Sequence, residues 1–246
     1  MLMMTTPSSA EALEQVGSGR RIQPYRAIHK GLRQLMMRTL NLAATLDASL
    51  PDERDQLAAA VEEMLRTCAD HLEHENTYFH APLQQRAERA VLAFEDDHQQ
   101  HLASIEELRK RIAVIKLGTD DVRQHAYALY LELTRFVAEN LEHMADEETQ
   151  LTLALWQHFS DEEIEGFENR LRASLTPQEN AYYLRWIAAG SDATELADIA
   201  RQARASMPAD AFAGICALLS DVLPAPRWTR LARELGVPPV PGFVSV

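Results

Sequence analysis

The stretch "HLEHENTYFHAPL", residues 71–83, places three histidines and two glutamates within thirteen residues. His71 and Glu75 stand four apart, which on an α-helix is one turn along one face. Upstream, Leu57, Val61, Met64 and Cys68 share that face at spacings of three and four. An apolar stripe therefore runs directly into an imidazole and a carboxylate. Burying a carboxylate without a partner is very costly, so the segment demands an answer from elsewhere in the chain.

Three other stretches supply one. Residues 24–48 carry Tyr25, His29, Leu32, Met36, Thr39, Ala43 and Leu46 on one helical stripe. Residues 87–116 carry Phe94, His98, His101, Ile105, Leu108 and Ile112. Residues 119–158 carry Val122, Ala126, Leu129, Leu133, Phe136, Asn140, His143 and Glu147. Every stripe turns polar at histidine, or at histidine with glutamate.

The whole chain reads as helix, because β-branched residues are scarce and Ala, Leu, Glu, Arg and Gln dominate. Pro24 suits a first turn. In "SLPDERDQL", Ser49 is the expected N-cap and Pro51 lies in the first turn. That helix is expected to run to about residue 80 and to break at Pro82. The next is expected to end at Gly118, and Thr119 or Asp120 to cap the fourth. Four long helices with short connections predict an all-α, up-down-up-down four-helix bundle over residues 23–159. Residues 1–22 read as a loose segment. "SDEE" at 160–163, "TPQE" at 176–179 and "DATE" at 192–195 have the form of capping boxes, and Pro208 and Pro224 suit two further helix starts. Residues 160–238 are thus expected to form a C-terminal helical extension and 239–246 a tail.

The polar positions fall at one level of such a bundle. With turns near 50, 85 and 119, His29 and His71 each lie 21 residues from the first turn, about 32 Å along their helices. Glu75 and His98 lie 10 and 13 residues from the second, and His98 and His143 lie 21 and 24 from the third. Five histidines and two carboxylates then share a layer: His29, His71, Glu75, His98, His101, His143 and Glu147. One or two metal ions resolve the cost of burying them. Two ions fit the count, with histidines terminal, carboxylates bridging and a position open. Mixed imidazole and carboxylate ligation suits iron or manganese, with copper and zinc as alternatives.

At these residues the chain resembles the hemerythrin-like (HHE cation-binding) proteins over about 22–158. The resemblance rests on His29, on His71–Glu75 with the following "NTYFHAPL", on His98 and His101, and on His143–Glu147 in "HMADEE". It implies a four-helix bundle holding a non-haem di-iron site, two irons joined by an oxo or hydroxo bridge and by Glu75 and Glu147. The chain has HxxH where the oxygen carriers have HxxxH, and HxxxE where they have HxxxxD. His101 is accordingly either a ligand or a residue behind one, or it shares its role with Asp97, four residues earlier. The HxxxE ending matches bacterial and sensor-type relatives better than blood oxygen carriers.

Other polar residues read differently. His74, His80, His125 and His158 are expected at the surface or rim, and Cys68 in the core. Tyr25 reads as core packing or as a hydrogen-bond partner of a ligand, and Asn140 as orienting a ligand or bonding a neighbouring helix. The formal net charge of −13 excludes nucleic acid as an expected partner. The cysteines, Cys68 and Cys216, form no framework. No apolar run reaches the roughly 20 residues of a membrane span, and "MLMMTTPSSAEALEQVGSG" lacks the form of a secretory signal. The expected setting is the cytoplasm, with no membrane partner. No nucleophile elbow or phosphate loop is present, so acyl and phosphoryl transfer are not expected. Three functions stay open: binding or sensing of O2 or NO, redox catalysis on peroxide or NO, and iron handling or partner binding. The C-terminal helices are a candidate homodimer surface.

Overall fold

The computed structural model describes residues 9–239. It is all-helical, and no strand occurs among the described residues. The chain runs α1 (Ser9–Gly17), α2 (Arg26–Thr45), α3 (Pro51–Glu75), α4 (Ala81–Lys116), α5 (Val122–Asp146), α6 (Thr152–His158), α7 (Asp161–Ser174), α8 (Pro177–Gly190), α9 (Ala193–Ser206), α10 (Ala209–Val222) and α11 (Ala225–Leu235). No described helix is long and apolar enough to cross a membrane.

Two compact units divide it. The first comprises residues 1–26 and 35–174, in which α3 packs on α4 and α4 on α5. Its buried face follows the expected stripes: Leu57, Val61, Met64 and Cys68 on α3, Ile105, Leu108 and Ile112 on α4, and Leu129, Leu133 and Phe136 on α5. Ala126 and Leu46, expected on the stripes, are only half-buried. The unit closes at Ser174 rather than at 159, because Ile164 and Phe167 of α7 join a core of Tyr25, Phe79, Leu83 and Leu155. The second unit comprises residues 27–34 and 175–246. Its core is formed by Ala188, Leu196, Ala200, Leu219, Trp228 and Leu231. Within it the backbones of α2 and α8 nearly touch: a Cβ built on Gly31 would stand 2.7 Å from the Trp186 carbonyl carbon.

Helix ends follow the sequence in part. All three capping boxes form, at Ser160/Glu163, Thr176/Glu179 and Asp192/Glu195. Pro208 and Pro224 stand immediately before α10 and α11. Gly118, with φ of +67°, follows α4. Leu50 rather than Ser49 precedes α3, since the Ser49 hydroxyl donates to Asp47. Neither Thr119 nor Asp120 caps α5; Asp121 precedes it, and its carboxylate accepts from Thr119.

Two expectations need correction. Residues 9–17 are helical and not loose, and Ala12 is buried; residues 18–22 are not helical, and residues 1–8 and most of the expected tail lie outside the described residues. The chain also does not break at Pro82. A single wide π turn, Asn76–His80, joins α3 to α4, and Pro82 sits in the first turn after it. There its missing N–H and fixed φ are tolerated. The non-helical kink comes five residues later, at Ala87 (φ −150°, ψ 60°). A second π turn, Glu147–Leu151, joins α5 to α6, which the sequence reads as one unbroken helix.

Candidate metal centre

Both π turns begin at the end of an HxxxE motif, one directly after Glu75 and the other at Glu147. A π turn inserts one residue, so the fifth residue onward stands where an α-helix would place the fourth. On α5 this brings Thr152 inward, and its hydroxyl donates to the Glu147 carbonyl oxygen at 3.2 Å. On α3 it brings His80 inward, with 2 % of its surface exposed. His80 was expected at the rim, because stripe spacing points at Tyr78 and Phe79. The insertion makes that expectation fail.

The structure brings six of the seven expected residues together. Glu75, His98, His143 and Glu147 each offer a ligand atom, all within 4.8 Å of one another, and so do His29, His71, Glu75 and Glu147. All are buried, and both carboxylates belong to both sets. The seventh residue, His101, is buried edge-on against the His143 ring at 4.8 Å and belongs to neither set.

Glu75 directs Oε1 at His71 Nε2, 3.0 Å away, and Oε2 at His98 Nε2, 3.7 Å away. Glu147 Oε1 lies 3.3 Å from His143 Nε2, 3.4 Å from His98 Nε2 and 3.6 Å from His80 Nε2. His98 Nε2 and His143 Nε2 are 3.0 Å apart. Their outer nitrogens decide what these atoms are. His98 Nδ1 is 2.9 Å from Asn76 Oδ1, and His143 Nδ1 is 3.4 Å from Asp97 Oδ2. Both partners accept, so both rings carry hydrogen on Nδ1 and turn an Nε2 lone pair inward when neutral. Two lone pairs and a carboxylate oxygen then face one another at 3.0–3.4 Å, an arrangement that a metal ion or a proton between them would relieve.

Ionisation agrees. Burial alone would raise the Glu147 pKa, yet the imidazoles of His143, His80 and His98 around it hold it well below the usual carboxylate range. Burial works against charge on His143, but the hydrogen bond and charge of Glu147 outweigh it and raise the imidazole pKa. His101 goes the other way, lowered to about 4 by burial and by the neighbouring His143 and His98. Tyr25 is pushed well above the ordinary phenol value by burial and then by the charges of Glu147 and Glu75, so its hydroxyl stays protonated beside the two carboxylates. A proton on His143, or a metal ion in its place, would offset the charge of Glu147.

The residues fit a metal ion on spacing as well. Ligands about 2.1 Å from an ion are separated by about 3.0 Å in an octahedron and about 3.4 Å in a tetrahedron. The observed edges of 3.0, 3.3 and 3.4 Å match these values. These buried histidine and glutamate groups can hold a metal ion.

The remaining candidates stand apart. Asn140 Nδ2 donates to the Phe136 carbonyl oxygen of its own helix, which matches neither role expected of it. His74, His125 and His158 are half-buried. Cys68 is buried, its thiol pushed up to about 12 by burial and then by Asp70. Asn76 and His80 are the residues that sequence reasoning missed. The available signal was that both lie within five residues after an HxxxE motif. Comparisons of the chain with known protein families, with curated proteins and with solved structures returned no match.

Proposed function

We propose that the protein is a hemerythrin-like metalloprotein whose four long helical segments form an up-down-up-down bundle around two iron ions, and that it binds or senses a diatomic molecule, O2 or NO. The observation that carries the reading is the pair of four-residue sets sharing Glu75 and Glu147. Two carboxylates common to two ligand sets are the arrangement expected of bridging groups in a helical-bundle dinuclear site. In this reading His29 and His71 serve one ion and His98 and His143 the other. Iron held there would supply redox chemistry and a place for the diatomic molecule to bind. The chain supplies the rest: Asn76 and Asp97 aim imidazoles inward, Tyr25 holds a proton beside the carboxylates, and Phe94 and Phe136, packed on His143 and His101, keep the surroundings apolar. Imidazole with carboxylate favours iron, with manganese or zinc as substitutes.

The test is metal content per chain after purification from iron-supplemented cells, with absorption spectra before and after dithionite and air. About two irons per chain, with near-ultraviolet bands that return on reoxidation, is the expected result. Less than half an iron per chain, unchanged in Glu147→Ala, overturns the reading.

A further inference from the structure

We propose that His80 is a ligand of the metal centre, occupying the place that sequence spacing gives to His101. The inference rests on the metal reading above and names a ligand that the HxxxE pattern does not contain.

Four observations converge on His80. It is an ionisable side chain with 2 % exposure, and neither ring nitrogen has a hydrogen-bond partner among the described residues. A buried imidazole left in this state is costly. Its Nε2 is aimed at the centre, 3.6 Å from Glu147 Oε1, close to the 3.3 and 3.4 Å of His143 and His98. Its ring lies nearly parallel to that of His98, with centroids 4.9 Å apart and planes 20° apart. Two imidazoles, one from the π turn and one from α4, therefore bring their Nε2 atoms to the same carboxylate oxygen. Finally, the wide turn that delivers it is a local departure from α-helix directly after a ligand pair, and such departures concentrate at functional sites.

His101 offers less. It too has an unpartnered nitrogen, Nδ1, but it meets His143 edge-on at 4.8 Å and Phe136 at 6.3 Å, and it joins neither ligand set. Exchanging it for His80 keeps the total at five histidines and two carboxylates. His80 also lines a polar surface depression of about 370 Å³ with Asn76, Gln84, Glu95, Asp96 and Gln99. His80 thus links the centre to that opening.

The experiment is an anaerobic Fe(II) titration of the full-length metal-free protein, read as ions bound per chain and as the spectrum after oxidation. Wild type is compared with His80→Ala, His80→Gln and His101→Ala, and circular dichroism checks helicity. With His80 as ligand, His80→Ala binds one of its two ions at least about tenfold more weakly. Free imidazole at millimolar concentration, entering by the depression, restores that ion and the wild-type bands. His101→Ala keeps both ions. If His80→Ala cannot fold, His80→Gln, which keeps polarity at similar length, must show the same selective weakening. Two ions bound with wild-type affinity and spectrum in a folded His80 variant overturn this assignment and leave the metal reading intact. Wild-type protein that binds no iron overturns both.

Discussion

Asn76 holds one ring of the centre through its side-chain oxygen, so replacing it probes a single step. Its Oδ1 lies 2.9 Å from His98 Nδ1 and keeps the hydrogen there, which leaves the Nε2 lone pair facing inward. In Asn76→Ala that hydrogen bond is lost with and without metal, but the loss is larger with metal. A ring bound to a cation is the stronger donor, and its bond contributes about 1.5–3 kcal/mol, against about 0.5–1.5 for a neutral ring. The metal-free ring can also move its hydrogen to Nε2, where His143 Nε2 stands 3.0 Å away to accept it. The difference is about 1–2 kcal/mol, a five- to thirtyfold weaker metal affinity. Asn76→Asp keeps an acceptor and adds a charge, so it retains or tightens binding. The assay is titration of metal-free protein against a competing chelator, with helicity checked in parallel. An Asn76→Ala protein that binds within about twofold of wild type, and no differently from Asn76→Asp, refutes the assignment of the His98 lone pair.

Four further outcomes are expected. Chelation should lower the thermal midpoint, since a ligand that binds only the folded state stabilises it. The His143 pKa is raised, so its proton stabilises the metal-free fold below about pH 6.5 and is lost as pH rises through the raised value; the gap between loaded and metal-free midpoints should therefore widen from pH 6 to pH 8, and a constant gap counts against this. Gly190→Ala places a Cβ against the Lys30 carbonyl carbon, 2.5 Å from its oxygen and 2.7 Å from Gly31 N, all backbone atoms, so two helices must part by about 1 Å to reach ordinary contact. Overpacking of about 1–3 kcal/mol should lower the midpoint by several degrees, read by differential scanning calorimetry. Cys68, its thiol pushed up to about 12, should resist a thiol reagent at pH 8 in native protein and react fully in guanidinium, as counted by mass spectrometry.

The stripes were legible because an α-helix repeats every 3.6 residues and burial follows that repeat. Leu57, Ile105 and Leu129 are buried where the spacing puts them, and so are His71, His98 and His143. What escaped the spacing was every change of phase. The turn at 76–80 inserts one residue, which turned His80 from rim to interior and allowed the helix to pass Pro82. The helix at 9–17 was hidden by the "GSG" that follows it. The place of α7 was hidden because Ile164 and Phe167 are too few to form a stripe of their own, yet both are buried in the first unit's core. Asn76 could not be found by periodicity at all, since its role depends on a ring 22 residues away.

Because Glu75 and Glu147 belong to both ligand sets, two ions bound by these sets would be thermodynamically linked. Each oxygen drawn toward one ion changes the charge and aim left for the other, and the effect is reciprocal by necessity. An ion in either position relieves the repulsion between two buried carboxylates, while two cations so close repel each other. The loading curve therefore cannot be the sum of two independent sites. Its shape, steeper or shallower than that sum, reports which of these opposing effects is larger in this protein.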